Sequence, residues 1–133
     1  MSEPVELGFR QRLAAAFATE LEGRVYELVA PPEAKLPLAT YRRMSTVDDG
    51  GGMKAARITL TLVDDEYAAV KRLQEQIERY LAGLRATWLS SGSAGDCPVW
   101  VFMIKPSTQA DGYQGATRRR VAVSDIEIRY ADG

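Results

Sequence analysis

The stretch Arg57–Leu84 constrains this chain more than any other, because it changes hydrophobic period within a few residues. In RITLTLV, Ile58, Leu60 and Leu62 alternate with Thr59 and Thr61, the pattern of a strand with one buried and one polar face. The next apolar positions, Tyr67, Val70, Leu73, Ile77, Leu81 and Leu84, fall three or four apart. That spacing predicts a helix of about 20 residues, roughly 30 Å long and able to cross a whole sheet. Asp64 or Asp65 is the expected cap at its start.

Shorter signals surround this unit. Phe9, Leu13, Phe17 and Leu21 share one helical face, so Val5–Leu21 reads as a first helix, with Pro4 in its opening turn and Gly23 just past its end. Arg24–Val29 reads as a short strand. Pro31, Pro32 and Pro37 stiffen a crossover to a second strand, Leu38–Thr46, with Ala39 and Tyr41 on one face and Thr40, Arg42 and Met44 on the other. Val47–Ala56, with its glycines Gly50–Gly52, reads as a mobile hairpin loop, and Ser90–Pro98 as a small-residue linker. Val99–Ile104 is apolar on both faces and is expected to end at Pro106. Ser107–Thr117 reads as a loop before the closing strand, in which the apolar phase moves from Val121 and Val123 to Ile126, Ile128 and Tyr130. A β-bulge near Ser124 or Asp125 would account for that shift. The expected fold is one α+β domain over residues 1–133, an antiparallel-rich sheet of about four to five strands with two main helices packed on it.

Composition removes several kinds of function. Of the 133 residues, 17 are basic and 18 acidic, so the net charge of −1 carries no global bias towards nucleic acid or an anionic membrane. No run approaches the ~18 apolar residues of a membrane span, and MSEPVELGFRQR lacks the order of a signal peptide. With one cysteine, Cys97, no internal disulfide forms, in keeping with a cytosol-like compartment. Histidine is absent, which excludes Ser-His-Asp and Cys-His catalysis and imidazole zinc sites. The Gly50–Gly52 run has no phosphate-binding pattern after it.

The residues left to weigh are basic and aromatic. Arg42, Arg43, Arg118, Arg119 and Arg120 are candidates for a lumen that passes DNA through sequence-independent phosphate contacts, or for an intersubunit face. Asp48–Asp49 and Asp64–Asp65 are explained by turn and capping chemistry, since hard cations need more converging oxygens. Trp88, just past a helix end, is the best interface candidate among Trp88, Trp100, Phe102, Tyr41 and Tyr130. Tyr113 joins it on the loop before the arginines. No catalytic, cofactor or metal residue is expected.

The Val5–Leu21 helix, GRVYELVAPPEAKLPLATYRRMS at Gly23–Ser45, RITLTLVDDEYAAVKRLQEQIERYLAGL at Arg57–Leu84, and the DGY turn at Asp111–Tyr113 before RRRVAVSDIEIRY at Arg118–Tyr130 together give a resemblance. The chain resembles the tail terminator proteins of long-tailed bacteriophages and gene-transfer particles over nearly its full length. The resemblance implies an α+β subunit that forms a homo-oligomeric ring, typically of about six copies, on the head-proximal end of the tail tube. Such a ring stops tube growth and offers the joining surface for the head. The implied partners are the tail tube protein and the head–tail connector proteins, with DNA passing through the lumen and no membrane. The implied location is the virion tail, reached from the host cytoplasm. A head–tail connector protein is the alternative within the same class, and a small ligand-binding or enzymatic α+β domain the alternative outside it.

Overall fold

Alternation from Ile58 to Leu62 puts three apolar side chains on one face of a strand, and the helix that follows lies on that face. In the computed structural model, residues 4–31, 33–48, 51–90, 98–114 and 119–132 are described, with 4, 108–114 and 132 described by backbone alone. The elements are α1 (Pro4–Ala16), α2 (Ala18–Leu21), β1 (Val25–Glu27), β2 (Leu38–Asp48), β3 (Lys54–Asp64), α3 (Tyr67–Ala82), β4 (Thr87–Leu89), β5 (Val99–Gln114) and β6 (Arg119–Asp132). They form a six-stranded sheet in the order β1-β2-β3-β6-β5-β4. The α+β class stands, but the sheet is larger than four to five strands and it is mixed. The crossover makes β1 parallel to β2, with Val25 opposite Ala39, and the three-residue β4 extends the other side beside β5.

Helix α3 buries Val70, Leu73, Gln74, Ile77 and Leu81 against β3, β5 and β6. Each large apolar side chain so covered contributes about 1.5–3 kcal/mol. Its N-cap is Glu66 with no side-chain bond. Asp64 and Asp65 do not cap it. Asp64 Oδ1 instead accepts the Asp65 backbone N–H at 2.7 Å, closing the turn locally and leaving α3 to start later than expected.

The first helix is broken at Phe17, which has φ −117° and ψ 39°, yet Phe9, Leu13, Phe17 and Leu21 are all buried as their spacing predicts. The break turns the last stretch so that the chain enters β1. Phe9 meets Tyr41 edge-on at 6.2 Å and Phe17 meets Tyr80 at 5.7 Å, tying α1 and its continuation to β2 and α3.

Three expectations fail for one reason: strand pairing runs further than local composition suggests. β2 and β3 form the expected hairpin but stay in register to Asp48 opposite Lys54, so five residues of the expected Val47–Ala56 loop are strand, with residues 49–50 outside the described part. β5 runs through Pro106 and pairs with β6 out to Gln114 opposite Arg119. Since β4 pairs only with Val99–Val101, Pro106 sits where the outer side of β5 is open and its missing N–H breaks no ladder bond. Pairing between β3 and β6 is continuous from Lys54–Tyr130 to Asp64–Arg120, so β6 itself has no bulge at Ser124 or Asp125; the irregularity beside Ser124 lies in β5, where Thr108 pairs with Ser124 and Ala110 with Val123. The register shifts instead fall at Arg43/Ser45 in β2 and at Val101/Met103 and Thr108/Ala110 along β5. In β6 the inward phase is even throughout, from Ala122 to Tyr130, with Ser124 as its polar member. Ser124 is accommodated because Gln74 Nε2 donates to its Oγ at 2.9 Å while the same hydroxyl donates to Glu78 Oε2 at 2.8 Å. Within the expected Ser90–Pro98 linker, residues 91–97, Cys97 included, lie outside the described part.

The two outermost strands meet the same helix. Arg10 Nε donates to the Val25 carbonyl of β1 at 3.1 Å, and the Arg12 guanidinium donates to the Trp88 carbonyl of β4 at 2.8 Å. For strands at opposite ends of the sheet order to reach one helix, the sheet must bend around it. Gly8 makes the close approach possible: a Cβ there would lie 2.8 Å from Leu89 Cβ and 3.1 Å from the Leu89 backbone. Gly8→Ala gains about 1 kcal/mol of helix propensity, but the clash is with a Cβ and main chain that cannot swing away, an overpacking cost of roughly 1–3 kcal/mol. We expect a net loss of stability in urea unfolding.

Candidate functional site

Both long helices pack on one face of the sheet, the face of Tyr41, Ile58 and Ser124, and the opposite face carries rows of polar side chains. In one row Arg57, Glu127 and Lys105 stand opposite one another across β3, β6 and β5, and in the next Thr59, Asp125 and Ser107 do. Thr59 Oγ1 donates to Asp125 Oδ1 at 3.2 Å, and Arg129 Nε lies 3.8 Å from Glu127 Oε2. A shallow trough of about 430 Å³ runs over these rows, lined by Arg57, Lys105, Pro106, Ser107, Asp125 and Glu127. Two cations and two carboxylates balance within it. The trough is suited to lying against another polar surface.

A second hollow, of about 260 Å³, lies between the crossover and the same sheet face, lined by Leu28, Val29, Pro31, Leu38, Val63 and Arg119 among others. Leu38 and Val63 are buried there although their positions in β2 and β3 face away from the helices. The crossover covers them.

The candidate arginines do not form one cluster. Arg42 is exposed on the polar face opposite Thr59. Arg43 faces α1, where its Nε lies 3.1 Å from Glu6 Oε1 and Glu6 is buried at 4% exposure, so this arginine holds the helix to the sheet. Arg119 lines the second hollow. Arg120 is exposed and stands opposite both Asp64 and Tyr113. Tyr113 is placed by its backbone in β5, and Arg118 lies outside the described residues. From Thr59 to Asp64 along β3, the step from the Arg42 row to the Arg120 row is roughly 17 Å at about 3.3 Å per residue.

The aromatic candidates divide cleanly. Tyr41 and Tyr130 are core residues at 2% and 1% exposure. Trp88 is 49% exposed in β4 and meets Trp100 edge-on at 5.1 Å, and Phe102 is 41% exposed beside them. Neither Trp100 nor Phe102 is a core residue; Val99, Val101 and Ile104 fill that part of the core. The sequence holds a signal for this. VWVFMI is apolar at every position, which fits a strand whose second face is covered by something, and within the described residues the outer side chains stay partly open.

Burial raises the Tyr41 phenol to about 12, with Glu27 and Glu6 pushing the same way and Arg10 opposing them. It lies under α1, away from the trough. No cluster of three or more metal-ligating side chains occurs among the described residues, and no described helix is long and apolar enough to cross a membrane.

No protein-family model and no curated protein matches the chain. Among solved structures it is similar to a chain in the virion of a native gene transfer agent particle, with a TM-score of 0.51 and 14% sequence identity over 96% of this chain and 92% of that one. At that identity the likeness is one of fold. It extends over nearly the whole length of both chains.

Two outcomes follow from this geometry. Arg43→Ala strips Glu6 of its guanidinium partner and is expected to lower stability by about 1–3 kcal/mol, whereas Arg42→Ala at the exposed face stays within about 0.5 kcal/mol; urea midpoints compare them. Because the folded pKa of Tyr41 lies above the unfolded value of about 10, its neutral form stabilises the fold fully below pH ~10 and that contribution fades up to pH ~12. Tyrosinate absorbance of the parent protein, compared with a Tyr41→Phe variant, should show Tyr41 ionising well after the exposed tyrosines, together with loss of fold.

Proposed function

We propose that this chain is a structural virion protein that closes into a ring on the head-proximal end of a tail tube, ending tube growth and presenting the surface to which the head joins. The observation that supports this reading best is the fold shared end to end with a chain of the gene transfer agent virion. The surface chemistry agrees with it. A sheet with one face bare of helices, a charge-balanced trough and exposed aromatic side chains provides area for packing against protein. Tyr41, whose phenol pKa is raised by burial, is enclosed in the core.

In such a ring the partners are further copies of the chain, the tail tube protein below and the connector proteins above, with host cytoplasm as the place of assembly and the virion tail as the destination. Of the candidate arginines, Arg42 is exposed on the helix-free face, whereas Arg120, opposite Asp64, shares the even-numbered phase of β6 that points to the helix side, so Arg42 is the one that would line a DNA passage along the helix-free face. The contact would be with phosphates and would weaken with salt.

The test is to add purified protein to tail tubes assembled without it and to image the tubes. The expected result is a ring at one end of each tube and an arrest of further growth when tube protein is supplied. Binding to filled heads with no effect on tubes would replace this reading with a connector role, and binding to neither would overturn it.

A further inference from the structure

Two apolar surfaces stand at opposite sides of the sheet order, one beside β4 and β5 and one beside β1 and β2. The first is aromatic: Trp88 and Phe102 are 49% and 41% exposed, and Trp100 stands edge-on to Trp88 at 5.1 Å. The second is the proline-bearing crossover, where Leu28 is 58% and Val29 78% exposed. That crossover is held in place. The Leu28 N–H donates to the Tyr41 carbonyl at 2.9 Å, the Ala34 N–H donates to the Pro31 carbonyl at 3.0 Å, and Leu28 keeps a left-handed backbone with φ 66°, a conformation that a residue with a branched side chain rarely adopts without support.

The chemistry of the two surfaces is complementary. A segment stiffened by proline and held by its own backbone bond loses little freedom on docking, and what it offers the aromatic side chains is the exposed apolar surface of Leu28 and Val29. Charge agrees at one pair: Glu33 is exposed on the crossover and Arg85 next to β4, while Lys35, also exposed on the crossover, would lie at the rim of the contact. Helix α1 bonds to Val25 on one side and to Trp88 on the other, so it fixes the separation of the two surfaces within each copy. A contact between two different surfaces of identical subunits propagates, and a fixed separation makes every step repeat the same rotation.

We propose that the crossover of one copy, through Leu28, Val29 and Glu33, docks on Trp88, Trp100 and Phe102 of the next, with Glu33 brought towards Arg85. This contact rests on the ring reading given above and supplies its head-to-tail step.

The test is disulfide trapping between two proteins that both carry Cys97→Ser, one with Glu33→Cys and one with Arg85→Cys, so that the aromatic side chains and Val29 stay in place. Glu75→Cys, on the exposed face of α3, is the control partner. Mixed at high concentration under mild oxidation, the Glu33→Cys and Arg85→Cys proteins are expected to cross-link about tenfold faster than either does with the control, through the effective concentration that docking creates. Adding Trp88→Ala to the Arg85→Cys protein should return the rate to the control level, with circular dichroism confirming that the variant is folded. A rate no faster than the control, or one indifferent to Trp88→Ala, overturns the proposal. Rings on tail tubes that show only the control rate would overturn this contact and leave the ring reading in place. Fast, Trp88-dependent cross-linking by a protein that forms no ring on tubes would uphold the contact and overturn the ring.

Discussion

The bridge that α1 makes between the two outermost strands is the interaction on which the rest of the structure depends. Strand ends present unpaired backbone groups, and a six-stranded sheet has two such edges to satisfy. Arg10 and Arg12, two positions apart on α1, each give a guanidinium hydrogen bond to an edge carbonyl, one in β1 and one in β4. Gly8 lets the helix come close enough to Leu89 for the second of these, and Glu6 with Arg43 anchors the same helix to β2. Without α1 in that place the sheet has no reason to bend, and the apolar faces of Phe9 and Leu13 have nothing to cover.

Once the sheet is bent around α1 and covered by α3, the core is complete on one side only. The other face is left with charged rows, the trough and the aromatic side chains of β4 and β5. With its helices on one face, the subunit leaves the other open over most of its area. The open outer sides of β2 beyond Tyr41 and of β5 beyond Val101 are interrupted by register shifts and, in β5, by Pro106. Such features blunt indiscriminate strand addition. Association is thereby directed to side-chain surfaces.

Much of this was legible in the residues. The alternation of Ile58, Leu60 and Leu62 and the spacing of Val70, Leu73, Ile77 and Leu81 describe β3 and α3 because each side chain there answers to one local period. What lay beyond reading was whatever depends on a partner distant in sequence. Ser124 looked like a break in phase because its acceptance in the core rests on Gln74 and Glu78, some fifty residues earlier. Pro106 looked like the end of a strand because the pairing that carries β5 past it is set by β6, whereas the glycines near residue 50 do fall between β2 and β3, and only the length of the flanking pairing escaped local reading. Trp88 was picked out as an interface residue, but nothing local marks β4, whose existence follows from β5 beside it and Arg12 above it. The arginines were read as one group and fall into three settings, since Arg43 turns towards Glu6, Arg119 towards the crossover, and Arg42 and Arg120 towards solvent.

If the ring reading is right, contact with the tube falls on the helix-free face and the two sides of the sheet, and not on the helical layer. Hydrogen–deuterium exchange with and without tail tubes measures that directly, peptide by peptide. The account predicts slowed exchange on tube binding in the outer part of β2, in the crossover and in β4 and β5, with α3 unchanged. Slowing confined to α3 and the exposed side of α1 would contradict it.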